Sequence, residues 1–260
     1  MLDKNVIPTP PNDSDALARA MRALLAEAKG PVAGAVVGVP GSVDYSSGEV
    51  LRLPNLPGWE GPIGAGHLGK ELGLLVLLAN DADLAALGEH RFGAGRDSSD
   101  MLYITCSTGV GAGVILDGLL VHGRLSLAEI GHTIIDRTSH ETVETLGSGT
   151  ALTRLAGEDA SAVAARASAG DPDARRQFAA VAEDFAIGVF NLVHCYSPET
   201  VVIGGGMSEA GDLLLGPVRK MLGRCSADCP GSRVNVVRAG GGDDVGLRGA
   251  AAYWADSRGR

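Results

Sequence analysis

The chain has 260 residues, 45% of them hydrophobic and 20% charged, which is enough apolar material for a sizeable core in one large or two modest domains. A formal net charge of −9 argues against nucleic acid or an anionic membrane as a general partner, no apolar run reaches the roughly 18 residues of a membrane span, and Met1-Leu2-Asp3-Lys4 has no secretory pattern. The four cysteines, Cys106, Cys195, Cys225 and Cys229, are scattered through a chain too large to need disulfide stapling, which points to a reducing cytoplasm.

Aromatic residues make up only 4% of the chain while glycines number 38, so aliphatic strands and tight turns must carry the architecture. Capping candidates at Asp13 and Ser14, apolar residues at Leu17, Met21, Leu24, Leu25 and Ala28, and a stop at Gly30-Pro31 predict an amphipathic helix over 13–28. An aliphatic strand over 33–39 follows and ends at Pro40-Gly41. Residues 42–59 are turn-rich and read as a hairpin followed by an irregular loop, the kind of segment in which α/β proteins hold ligands. A second apolar run over 74–79 leads into Asn80-Asp81-Ala82-Asp83 and a helical pattern through Glu89, which sets a carboxylate at a strand-to-helix junction. Asp81 there is either the helix N-cap or, beside a cleft, a general base.

Residues 101–132 form the most informative stretch. Strand-like runs over 101–106 and 114–116 flank a turn, Ser107 to Gly113, rich in hydroxyls and glycines, and Asp117-Gly118 is a hairpin signal. Such a turn can line an anion with unobstructed backbone N–H groups, or it can be a glycine-rich hairpin with no ligand. A third run ends in Glu129-Ile130-Gly131-His132. Helical patterns then cover 150–156, 160–169 and 172–195, after which strand, glycine turn and helix occur twice: 201–203 with Gly204-Gly205-Gly206 and 212–222, then 233–237 with Gly240-Gly241-Gly242 and 246–254. Helix, strand, helix, strand, helix over 13–93 looks like this second unit without its opening hairpin strands.

The order apolar strand, Asn-Asp, helix, Thr-Gly-Val-Gly turn, Glu-Ile-Gly-His resembles the ROK family of bacterial sugar kinases and sugar-responsive repressors, most closely its glucokinases, from about Thr9 to the C-terminus. The resemblance implies an α/β actin-like ATPase (ribonuclease H-like) fold, with two lobes around a nucleotide and sugar cleft. We expect an N-terminal lobe at 1–100, incomplete at its start, and a C-terminal lobe at 101–260. It further implies ATP-dependent phosphorylation of a hexose, most naturally glucose. Asp81 would be the general base. Gly41, Asn55, Asn80, Asp81, Glu129, His132 and Glu144 would surround the sugar, and carboxylates suit that task because they accept hydrogen bonds from hydroxyls in fixed directions. Thr108, Gly109, Val110 and Gly111 would meet the phosphates, Gly204, Gly205 and Gly206 the adenosine, and Mg²⁺ would arrive with ATP. The expected partners are a hexose, ATP and a second copy of the chain in a homodimer.

The chain departs from the family pattern twice. Between Gly131-His132 and Glu144, where most ROK proteins carry zinc-binding cysteines, the interval 133–143 has no Cys; His132 and His140 alone make no thiolate-rich site, so no structural zinc is expected there, and Glu144 is left with less bracing. Cys225 and Cys229, spaced one helical turn apart, are by themselves weak as metal ligands. The family's opening Asp-x-Gly-Gly-Thr phosphate turn has no match in residues 1–11, which raises two alternatives: a sugar-binding pseudokinase, or a regulator of the same family without a DNA-binding domain.

Overall fold

The computed structural model describes residues 4, 6–9, 14–53, 56, 63–127 and 129–259. Asn55 lies outside the described residues. The first half contains α1 (Ser14–Ala26), β1 (Ala35–Val39), β2 (Ser42–Asp44), β3 (Glu49–Arg52), α2 (Ala65–Leu72), β4 (Val76–Asn80) and α3 (Asp81–Phe92). The second half contains β5 (Met101–Cys106), β6 (Val110–Leu116), β7 (Leu119–Val121), α4 (Val143–Gly147), α5 (Gly149–Ala156), α6 (Ala160–Ala169), α7 (Pro172–Tyr196), β8 (Thr200–Gly204), α8 (Asp212–Leu222), β9 (Asn235–Arg238) and α9 (Val245–Arg258).

Among the described residues three sheets result. β1 pairs in parallel with β4, β2 and β3 form a hairpin, and five strands run in the order β7-β6-β5-β8-β9. In the large sheet β5 is antiparallel to β6 and parallel to β8. Among the described strands β1 has β4 as its one partner, so its other edge carries backbone groups without a strand beside them.

Strand periodicity sorts the side chains of β5 onto two cores. Leu102, Ile104 and Cys106 face α7, where Phe178 and Phe185 are fully buried. Burial of each ring stabilises the fold by about 2–3 kcal/mol. Helix α7 is long and apolar enough to span a membrane by length and composition, which the sequence reading did not anticipate, but its apolar side is taken up by this core. On the other face, Met101 and Tyr103 meet Ala86 and Leu87 of α3 and Val245 and Ala252 of α9. Helices α3 and α9 touch backbone to backbone: a Cβ on Gly249 would fall 1.7 Å from the Leu84 carbonyl oxygen, and one on Gly88 would fall 2.1 Å from that of Val245. The fully buried Glu89 carboxylate closes the same junction by accepting the N–H groups of Ala94, Gly240 and Gly241 at 2.7, 3.1 and 2.7 Å.

Three local expectations change. The turn expected over 107–113 is shorter, because Val110 and Gly111 already pair with Cys106 and Thr105 in the β5–β6 ladder. Glu129 to His132 lie on a short 3₁₀ turn, Ile130–His132, rather than at the end of a strand. A second 3₁₀ turn, Gly206–Ala210, separates the triple glycine from α8.

Candidate active site

The Asn80-Asp81 junction is built by local hydrogen bonds. Asn80, rather than Asp81, caps α3: its side-chain oxygen accepts the N–H groups of Ala82 and Asp83 at 2.8 and 3.2 Å. Its amide nitrogen donates to the Gly41 carbonyl at 3.0 Å, tying the end of β1 to the start of the helix. Asp81 opens the first turn of α3 and accepts the Ala82 N–H at 2.9 Å. Its carboxylate is open to solvent through the cleft yet flanked by the cleft walls. That burial raises its pKa above the usual carboxylate range; the Ala82 N–H opposes the shift and the charge of Glu129 adds to it.

Behind this junction Asp83 is fully buried and accepts hydrogen bonds from the Tyr45 hydroxyl at 2.6 Å and the Ser126 hydroxyl at 3.1 Å. Tyr45 also stacks on His122 at 4.0 Å. Burial pushes the Asp83 carboxyl up to about 6, against the pull of these two hydroxyls. One buried carboxyl thus pins the β2 segment and the 122–126 segment to the helix that carries Asp81.

These elements enclose a cleft of about 470 Å³ lined by Gly41, Asn80, Asp81, Thr108, Gly109, Val110, Gly111, Glu129, His132 and Glu144. Every described residue expected around the sugar or the phosphates is therefore on one surface. Glu129 and His132 are solvent-accessible, with Oε2 and Nε2 3.8 Å apart. Glu144 stands in the first turn of α4, and its Oε2 accepts the Val110 N–H at 2.9 Å, so this carboxylate braces the 107–110 turn itself. The other end of that turn is tied to α5: the Ser107 and Thr108 carbonyls accept the N–H of Gly149 at 2.7 Å and the hydroxyl of Thr150 at 2.7 Å.

The 133–143 segment has its own bracing. The Asp136 side chain accepts the N–H groups of Thr138 and Ser139 at 2.7 and 2.9 Å, and Thr142 and Thr145 form a reciprocal cap at the start of α4. The Asp136 carboxyl is held below its usual range by those N–H groups.

A second cleft of about 390 Å³ shares Ser107, Thr108 and Thr150 with the first and continues to Ala160, Ala164, Gly206 and Met207. Of the three glycines expected at adenosine, Gly206 alone lines it. Gly204 and Gly205 pack against the strand ends, where a Cβ would fall 2.5 Å from the Tyr103 hydroxyl and 2.4 Å from the Cys106 carbonyl oxygen respectively. The sequence reading missed Arg52, Ser126, Ser148 and Arg154 in the first cleft. Arg154 sits on an ordinary amphipathic helix, and Arg52 ends a hairpin strand, so nothing local marks either one.

The sequence model of the ROK family matches residues 1–257. The glucokinase of Thermotoga maritima is 33% identical over 83% of this chain and 77% of its own. The bifunctional enzyme NanE/NanK of Brucella melitensis is 36% identical over 96% of this chain and 49% of its own. A solved ROK family glucokinase from Streptomyces griseus, in complex with glucose and AMPPNP, superposes with a TM-score of 0.78 at 29% identity, covering 95% of this chain and 89% of that one.

Proposed function

Because the chain belongs to the ROK family and shares the actin-like ATPase fold of that family's solved structures, we propose that it is an ATP-dependent hexose kinase that converts glucose to glucose 6-phosphate. The observation that carries this reading is the single cleft in which the Asn80-Asp81 junction, Glu129, His132 and Glu144 face the 108–111 turn. In our assignment the sugar lies between Asn80, Asp81, Glu129 and His132. Its 6-hydroxyl oxygen attacks the γ-phosphorus, the bond to the β-phosphate oxygen breaks, ADP leaves, and the hydroxyl proton passes to Asp81. Phosphoryl transfer has a loose transition state, so Asp81 contributes chiefly by orienting the hydroxyl and receiving its proton. The backbone N–H groups of Thr108 and Gly109 meet the phosphates, Mg²⁺ would accompany ATP, and the adenosine occupies the second cleft beside Gly206.

The similarity to a NanE/NanK enzyme makes the choice of sugar the part that most needs testing. ADP release should be followed in a coupled assay with glucose, mannose, fructose and an N-acetylated hexose. We expect kcat/KM for glucose to exceed the others by ~10-fold or more, since a site built on hydroxyl contacts discriminates strongly. A different preferred sugar would overturn the glucose assignment and leave the kinase. Sugar binding without ADP release from any hexose would overturn the kinase and favour a binding role.

A further inference from the structure

Away from the cleft, three residues from separate parts of the chain converge at the C-terminal end of α7. His194 lies in the last turn of that helix, while Cys225 and Cys229 lie in the connector between α8 and β9, which ends in a 3₁₀ turn, Pro230–Arg233. His194 Nε2 stands 2.8 Å from Cys229 Sγ and 3.7 Å from Cys225 Sγ, and the three ligand atoms all fall within 4.8 Å of one another. The pair of cysteines that looks isolated in the sequence therefore has a third partner supplied by the fold.

The imidazole is held as metal-ligating imidazoles are held. Its Nδ1 lies 2.8 Å from the Phe190 carbonyl, which can only accept, so Nδ1 carries a proton and Nε2 is the nitrogen aimed at the sulfurs. The Phe190 ring lies against the imidazole with centroids 4.2 Å apart and fixes its plane. Space is reserved as well: a Cβ at Gly231 would fall 2.7 Å from Cys225 Sγ and 3.4 Å from the His194 ring. A tetrahedral Zn²⁺ with ordinary bond lengths sets N···S at about 3.6 Å. The His194–Cys225 distance already fits, and a turn about the single side-chain bond of Cys229 opens the shorter one.

We propose that His194, Cys225 and Cys229 bind one soft metal ion, with Zn²⁺ the expected occupant, and that the ion clamps the 223–234 connector onto the end of α7. Two thiolates balance the charge of a divalent ion, and sulfur ligation favours Zn²⁺ over Mg²⁺ or Ca²⁺. All three residues are half-buried, so the fourth position is within reach of water.

The test is titration of the reduced, metal-free protein with Co²⁺, read by thiolate-to-cobalt charge-transfer absorption, followed by displacement with Zn²⁺. One Co²⁺ per chain should bind in four-coordinate form and be displaced by Zn²⁺. Cys225→Ser and Cys229→Ser should each weaken binding by at least ~100-fold, since even residues that only support a ligand cost 10–100-fold when changed. Cys195→Ser, an exposed cysteine outside the group, should bind as the parent does. Gly231→Ala, which keeps every ligand and fills the reserved space, should also lose binding, and it keeps the test decisive should a cysteine variant fail to fold. Absence of the charge-transfer band from the parent protein would overturn the proposal. So would a band that survives in the Cys225→Ser/Cys229→Ser double variant.

Discussion

Asn80 takes the α3 cap and so leaves its neighbour Asp81, which accepts the Ala82 N–H, with a carboxylate that opens into the cleft. Asn80 carries the structural duty at this junction, and the proton-accepting duty proposed above falls to a different side chain. Asp81→Asn should therefore lower kcat by ~10²–10⁴-fold while glucose affinity stays within a few-fold, because the amide keeps the shape and cannot take the proton. Asn80→Ala should instead cost about 1–2 kcal/mol of stability. Steady-state kinetics, calorimetry and urea denaturation separate the two.

In the role proposed for it, Asp81 must be ionised to receive a proton. Burial and the charge of Glu129 raise its pKa, so the acid limb of kcat/KM should lie at higher pH than for an ordinary carboxylate. Removing the charge with Glu129→Gln should move that limb to lower pH. A limb unmoved in this variant would separate the two carboxylates electrostatically.

The Glu129 and His132 side chains lie 3.8 Å from each other, whereas the Glu144 carboxylate holds the 107–110 turn through the Val110 N–H. Glu129→Gln and His132→Ala should weaken glucose binding and leave ATP binding alone. Glu144→Ala should weaken ATP binding by about 2–10-fold, through relaxation of the turn that its carboxylate holds. Calorimetric titration of each variant with each ligand is the measurement.

Asp83 gives a stability signature. Its pKa is raised to about 6 in the folded protein, against about 3.9 in an unfolded chain. A raised folded-state pKa means the stabilisation is complete below about pH 4 and is lost as the pH rises through about 6. The stability of the parent relative to Asp83→Asn should fall by up to about 3 kcal/mol across that window. Urea midpoints measured for both proteins at several pH values would show it.

Glu89→Ala should destabilise the protein by about 3 kcal/mol, because one buried and two part-buried N–H groups lose their acceptor together. Glu89→Gln keeps one accepting oxygen and should cost less.

Features set by neighbours in sequence were legible before the fold was known. The Asn80-Asp81 junction needs only a strand, a cap and a helix, and the 107–109 turn needs only two strands and small residues. Features made by distant contacts were not. Arg52 and Arg154 enter the cleft only after separate elements pack, and His194 meets Cys229 across 35 positions. Gly204-Gly205-Gly206 reads as one motif, yet the crowding of Tyr103 and Cys106 divides it between packing and cleft. The 3₁₀ turn at Ile130–His132 has no periodicity long enough to show in a sequence.

The seat of α3 also has a history in time. The helix that begins with Asp81 is held from behind by Gly249 of α9 and through Glu89 by Gly241, a residue 152 positions further along the chain. A ribosome adds roughly 5–20 residues per second, so for about ten seconds or more α3 is synthesised but unsupported. During that interval Ala85, Ala86 and Leu87 lack their β9 and α9 neighbours Val237, Val245 and Ala252. A nascent chain halted before residue 240 would therefore carry Asp81 on a helix that lacks its support from Gly241 and α9.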